Sequence, residues 1–417
     1  MSSILIKNAI LEGVEKDILI KDSLIDKIDI GIDYNADKQI DAKGKWIIPG
    51  FINMHTHAAM TLMRGIGEDM YLIDWLENKI WPVEKKLDDE LVYWGSKLAA
   101  LEMTKTGTTT FNDQYWRVPA SIKAIEEAGL KSFQPFVILD QMDRSKSIQI
   151  KEECEELYQE SKEWSNLHSF AIGIHSPYSV TEEMIVWGSE YARKRGLIVH
   201  IHLSETEWEN NESQKNHGLS PTEYLEKLGV LGPEVIAAHS LWLSDKDIEI
   251  LAKNKVNVVH NINSNLKIAS GFKFRYNELR DAGINVTLGT DGCASSNNLD
   301  MLESMKTSAL VQKAWRYDPT SLPLSELMSL ATENGGKALG LKTGRIEEGW
   351  IADFSLVNTN NYAFTPNINF LANLVYSANS SCIDTVVSNG RVIMENRIVP
   401  GEQEIIDNVN RLYKKLL

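Results

Sequence analysis

Cysteine is scarce in this chain, with three in 417 residues, at positions 154, 293 and 382. Their odd number and wide spacing exclude a disulfide framework or a zinc ribbon and point to a reduced cytoplasm. Basic charge is also short. The 43 Lys and Arg against 58 Asp and Glu leave a formal charge of −15, so no nucleic-acid partner is expected, because phosphate binding needs clustered cations. The acids fall in helical patterns such as Lys151-Glu152-Glu153-Cys154-Glu155-Glu156, which read as solvated faces. No apolar run approaches the roughly 20 residues that span a bilayer. The opening Met1-Ser2-Ser3-Ile4 has no basic stretch leading into an apolar one, so neither a leader nor a membrane contact is expected. Low-complexity linkers and short repeats are missing too.

What remains is an ordinary globular composition, 43% hydrophobic and 24% charged, in a chain long enough for a large core. It reads in three parts. Residues 1–50 hold short alternating strands (3–7 and 17–21) between polar turns. Residues 344–417 repeat that texture at 349–357 and 385–393, where Asn389-Gly390 between apolar runs signals a hairpin. An amphipathic helix over 407–417 closes the chain. The two ends together predict one small β-sandwich domain. Between them, in 51–343, eight strand-like runs alternate with helices: 51–57, 107–113, 133–140, 170–175, 198–204, 235–241, 256–262 and 285–291. That alternation predicts an α/β fold, a distorted TIM (β/α)8 barrel, whose chemistry belongs at the C-terminal strand ends.

Polar residues cluster at those ends. His55 and His57 close the first run. Side chains two apart share a strand face, so both imidazoles can reach one ion, and neutral imidazole is a common zinc or iron ligand. An isolated His-x-His would be read as packing, but this pair is not isolated. Val199-His200-Ile201-His202-Leu203-Ser204-Glu205 again places two histidines on one face. His202 is the third ligand, because Glu205 follows just past the strand end. His200, lying deeper, is expected to support a ligand or fill the core. His239 and Asp291 end the sixth and eighth runs. Each alone would pass for a strand cap or a turn. His260 reads as structural, and His168 and His217 as surface residues.

Pro49-Gly50-Phe51-Ile52-Asn53-Met54-His55-Thr56-His57, His202-x-x-Glu205, His239-Ser240 and Gly289-Thr290-Asp291-Gly292 resemble the amidohydrolase superfamily. Ser264-Asn265-Leu266-Lys267-Ile268-Ala269-Ser270-Gly271 and Trp81-Pro82-Val83-Glu84 narrow the resemblance to the branch of S-adenosylhomocysteine/5′-methylthioadenosine deaminases and triazine chlorohydrolases. It covers essentially the whole chain. It implies one divalent metal ion per chain, zinc or iron, on His55, His57, His202 and Asp291, with Glu205 and His239 as the acid/base pair and Glu84 and His175 against substrate. Taken alone, Glu84 reads as a charge near a helix start.

Three imidazoles and a carboxylate leave room for a water whose pKa a metal lowers toward neutrality. Asp291 and His239 would orient or deprotonate it, while Glu205 protonates a ring nitrogen as the adjacent carbon is attacked and ammonia leaves. No Lys stands on the fourth run to carry a bridging carboxylate, which favours one metal over two. The expected activity is hydrolytic deamination of an adenosine-type nucleoside: 5′-methylthioadenosine, adenosine, S-adenosylhomocysteine or similar. Removal of chloride or an amine from a triazine or pterin is the alternative, and an inactive amidohydrolase-like scaffold the alternative of another class. The resemblance implies arginines near the third and fourth runs to meet the amino-acid carboxylate of S-adenosylhomocysteine; the run 133–140 has none, and Arg117 and Arg144 are the only nearby candidates. A small-molecule substrate is the expected partner, and a homo-oligomer stays open.

Overall fold

Apolar residues alternate through the first twenty positions. In the computed structural model they pair as β1 (Ser3–Leu11) and β2 (Val14–Lys21), antiparallel. The structure describes residues 3–416; Met1, Ser2 and the expected helix end at Leu417 lie outside it. β3 (Leu24–Asp29), β4 (Lys38–Asp41) and β5 (Lys45–Pro49) follow.

The central run then supplies β6 (Phe51–Thr56), β7 (Thr108–Asp113), β8 (Lys131–Ile138), β9 (His168–Ile174), β10 (Val199–Leu203), β11 (Val235–His239), β12 (Asn257–His260) and β13 (Val286–Leu288). All eight are parallel and hydrogen-bonded in sequence order. Helices joining consecutive parallel strands cover the sheet from outside, so the strands read as apolar runs. On β6, Ile52 and Met54 pack toward the helix Glu333–Leu339, and the alternation turns His55 the other way.

Closure of the barrel falls at the site. The Asp291 N–H donates to the His55 carbonyl at 2.9 Å, and Asn53 and Thr290 exchange bonds of 2.7 and 3.0 Å. Gly289 permits this approach, because a Cβ there would fall 2.9 Å from the His55 backbone nitrogen.

From the far end come β14 (Phe354–Asn358), β15 (Ile383–Ser388) and β16 (Arg391–Met394). The two ends form one small sheet in the order β16-β15-β14-β5-β1-β2-β3, with β4 also on β1. It closes over Ile6, Ile18, Ile20, Phe354 and Leu356. Asn389 (φ 49°) and Gly390 (φ 73°) make the expected turn between β15 and β16. The terminal helix starts earlier than its sequence pattern suggests, at Glu402, because Gly401 in the left-handed region (φ 77°) releases the chain there. Lys131 at the start of β8 and Asp353 ahead of β14 form a buried ion pair between barrel and sheet. Among the described residues, no helix is long and apolar enough to cross a membrane.

Candidate active site

The strand ends converge on one point. His55 Nε2 lies 3.4 Å and His57 Nε2 3.3 Å from Asp291 Oδ1. His239 Nε2 lies 3.9 Å from Asp291 Oδ2 and 3.8 Å from Glu205 Oε2. Two sets, His55/His202/His239 and His55/His57/Asp291, each bring their donor atoms within 4.8 Å of one another. The strand ends are held in unusual backbone. Ser204 (φ 48°), His239 (φ 67°) and Asp291 (φ 65°) all sit in the left-handed region, which non-glycine residues occupy at a cost that surrounding contacts must offset.

Hydrogen bonds behind the ring decide which nitrogen faces inward. His57 Nδ1 meets the Gln114 carbonyl at 2.7 Å and His202 Nδ1 the His175 carbonyl at 2.6 Å. A carbonyl only accepts, so both rings carry a proton on Nδ1 and turn Nε2 inward, where it is a lone pair whenever the ring is neutral. His239 Nδ1 pairs with Asn265 Oδ1 at 2.8 Å, with the same effect. His55 Nδ1 pairs with His200 Nε2 at 2.7 Å, and His200 in turn meets Asn112 at 2.8 Å. His55 Nε2 is buried with no hydrogen-bond partner. Burial pushes His55 down to about 4 against the pull of Asp291. Burial also opposes charge on His57, but Asp291 and the Gln114 carbonyl lift it to about 9. Asp291 is held well below the usual carboxylate range despite burial, because two imidazoles face it. Ser264 Oγ donates to Asp291 Oδ2 at 2.6 Å and the Gly292 N–H to Oδ1 at 2.7 Å.

A cavity adjoins this point. Met60, Leu72, Trp75, Leu76, Ile80 and Trp81 supply apolar wall; Glu84, Gln114, His175 and Glu205 are among its polar groups. Burial raises the carboxyls of Glu205 and Glu84, the latter partly offset by Tyr115, His57 and Trp116. His175 is pushed down to about 4 by burial, and its Nδ1 meets Ser179 Oγ at 2.7 Å. Among the described residues, no Lys or Arg lines the cavity. Arg117 instead pairs with Asp89 at 2.8 Å on the surface, and Arg144 is exposed.

The structure thus brings together His55, His57, His202, Glu205, His239, Asp291, Glu84 and His175. Asn265, Ser264, Gln114 and Asn112 join them without having stood out individually in the sequence. Asn112 and Gln114 show only as polar residues at the end of β7, while Ser264 and Asn265 open the 264–271 motif, on the helix Ile262–Lys267 that follows β12. His260 stacks on Phe274 with ring centroids 3.9 Å apart, and His217 lies exposed against Tyr224. His168 corrects the surface reading. β9 begins two residues before its apolar run, so His168 is buried between Ser132 Oγ (2.9 Å) and Glu126 Oε2 (2.8 Å).

An eight-stranded parallel barrel with a histidine-rich candidate metal centre at its strand ends defines the class of protein. The family model described as the amidohydrolase family matches residues 46–393, and the chain belongs to that family. It is 44% identical over 399 residues to a 5-methylthioadenosine/S-adenosylhomocysteine deaminase of Thermococcus sibiricus, covering 94% of each chain. A 5′-deoxyadenosine deaminase of Methanospirillum hungatei is 43% identical over 372 residues, 89% of this chain and 83% of that one. An adenosine deaminase from Xanthomonas campestris, solved with bound zinc, superposes with a TM-score of 0.94 at 29% identity, covering 100% of this chain and 98% of that one.

Proposed function

We propose that this protein is a metal-dependent hydrolytic deaminase of adenosine-type nucleosides. The observation that carries the reading is the convergence of inward-facing imidazole nitrogens and the Asp291 carboxylate beside Glu205, at the floor of a cavity containing Glu84 and His175. His55, His57, His202 and Asp291 would hold one divalent ion, zinc or iron; the buried, unpartnered His55 Nε2 fits such a ligand set. When bound, the ion supplies Lewis-acid polarisation that brings the attacking water's pKa toward neutrality.

The side chains supply the rest. His239, its tautomer set by Asn265, presents a basic Nε2 that takes a proton from the attacking water. Glu205, whose carboxyl burial favours in the protonated form, donates to the purine ring nitrogen beside the reacting carbon. Glu205, now a carboxylate, takes the proton of the added hydroxyl and passes it to the departing amine as the carbonyl forms. His239 returns its proton to Glu205, 3.8 Å away, so nucleoside plus water gives the inosine analogue and ammonia. Glu84 accepts from the ribose hydroxyls and His175 meets the sugar or purine edge.

The charge of the cavity narrows the substrate. Among the described residues, three carboxylates and no Lys or Arg line it, so an anionic group on the 5′ end has no partner there. Neutral ends, as in 5′-deoxyadenosine, 5′-methylthioadenosine and adenosine, fit the apolar wall. Buried, unpaired Cys154, Cys293 and Cys382 agree with a reducing, cytoplasmic setting. Ammonia release over a panel of nucleosides, triazines and pterins tests the reading. Turnover of the three neutral nucleosides well above S-adenosylhomocysteine is expected. Turnover confined to triazines or pterins would replace the deaminase reading with the alternative hydrolase.

A further inference from the structure

Glu209 is a buried carboxyl group. It is 2% exposed, and no basic side chain offsets the burial that pushes its carboxyl up to about 8. Its two oxygens have separate tasks. Oε1 accepts the Ser204 N–H at 3.0 Å and Oε2 the Glu205 N–H at 2.8 Å.

The local sequence makes this unusual. Thr206 is the N-cap of the helix Glu207–His217 and accepts the Glu209 N–H. Glu209 is therefore the third residue of the first turn, where a capping-box carboxylate ordinarily reaches back to the N–H of the cap residue itself. Here it reaches one and two residues further, past Thr206, to the turn that carries Glu205. That turn is pinned from its other side as well. The Ser204 carbonyl accepts from the Leu241 and Trp242 N–H groups at 3.1 and 2.9 Å. Ser204 lies in the left-handed region, so its conformation persists only while such contacts enforce it.

We propose that Glu209 is a positioning residue that holds the Ser204–Glu205 backbone and thereby presents the Glu205 side chain to the cavity opposite His239. A carboxyl group suits the task because two N–H groups need two acceptors, and both of its oxygens carry lone pairs whether or not it is ionised. A glutamine offers one acceptor and sets its own donors against the second N–H. The inference rests on Glu205 being the proton-transferring group; were it not, Glu205→Gln would itself keep wild-type turnover, an outcome distinct from those below.

The test compares Glu209→Gln, Glu205→Gln and their double variant with Thr206→Ala, which removes the ordinary helix cap but leaves the clamp. All are measured for kcat, KM and bound metal on 5′-deoxyadenosine. Misplacing a reacting group by about 1 Å can cost about 100-fold, so Glu209→Gln should lose about 10- to 100-fold in kcat with KM and metal content unchanged. Thr206→Ala should stay near wild-type kcat even where its melting temperature falls as far. The double variant should be no slower than Glu205→Gln alone, because the clamp acts through that side chain. If Glu209→Gln does not fold, Glu209→Asp, which keeps the carboxyl group but shortens the reach, takes its place. Wild-type kcat in Glu209→Gln, equal kcat losses in Glu209→Gln and Thr206→Ala, loss of bound metal, or multiplying losses in the double variant would each overturn the proposal.

Discussion

Replacing Glu84 by glutamine isolates sugar recognition from chemistry. The side chain keeps its size and loses its charge, and it lies against Tyr115 and Trp116 in the cavity wall. Burial already disfavours its ionised form, so a charged Glu84 needs a substrate that repays its desolvation, and a vicinal diol offers two donors to one carboxylate. Hydrogen bonds to charged groups contribute about 1.5–3 kcal/mol each. Tyr115, His57 and Trp116 already ease the ionisation, so the net loss belongs near the value of one such bond. That is about 10- to 100-fold in kcat/KM. The assay is kcat/KM for 5′-deoxyadenosine and for adenine in wild type and Glu84→Gln, by ammonia release, with metal content checked in both. The nucleoside should suffer and the free base should not. Equal losses on both would refute sugar recognition by Glu84.

Glu205→Gln should retain its metal yet lose about 10²–10⁴-fold in turnover, the usual range for a general acid/base; metal loss in that variant would make Glu205 a ligand instead. Asp353→Ala strands the buried Lys131 ammonium, which costs about 3–5 kcal/mol. Spread over a chain of this length, that lowers the melting temperature by roughly 3–6 °C, whereas Lys131→Met with Asp353→Leu should recover most of it; an unmoved transition in Asp353→Ala would contradict the pairing. Burial holds His168 below its ordinary value, so its contribution to stability is present above about pH 6.5 and is lost as pH falls below that, by up to about 1.4 kcal/mol per unit. His168→Gln should flatten that part of the urea-stability profile relative to wild type, and an unchanged slope would show that His168 does not carry it.

The barrel was legible because strands covered by helices are mostly apolar runs; β7, with Phe111 alone among threonines, Asn and Asp, showed instead through its β-branched residues. The strand edges were not legible. β9 opens on a polar pair, His168 and Ser169, whose burial comes from Ser132 and Glu126 on neighbouring elements, which no local pattern records. Histidines at strand ends were visible as chemistry; the groups that set their tautomers were not. Asn265 acts on His239 across 26 residues of sequence, and Asn112 reaches His200 across 88. Glu84 read as a helix charge from its own neighbours; the resemblance set it against substrate, and in the fold it lines the cavity. Glu209 was hidden in Glu205-Thr206-Glu207-Trp208-Glu209, a run that looks like an ordinary acidic first turn.

Metal titration coupled to turnover tests the central claim most directly. Protein stripped with a chelator is titrated with zinc or ferrous iron, and ammonia release from 5′-deoxyadenosine is followed at each addition beside His202→Ala. Activity in the wild type should rise linearly to one equivalent per chain and then level off, while His202→Ala neither holds the ion nor turns over. Full turnover in the stripped protein, or stoichiometric metal and undiminished activity in His202→Ala, would contradict a deaminase built on this centre.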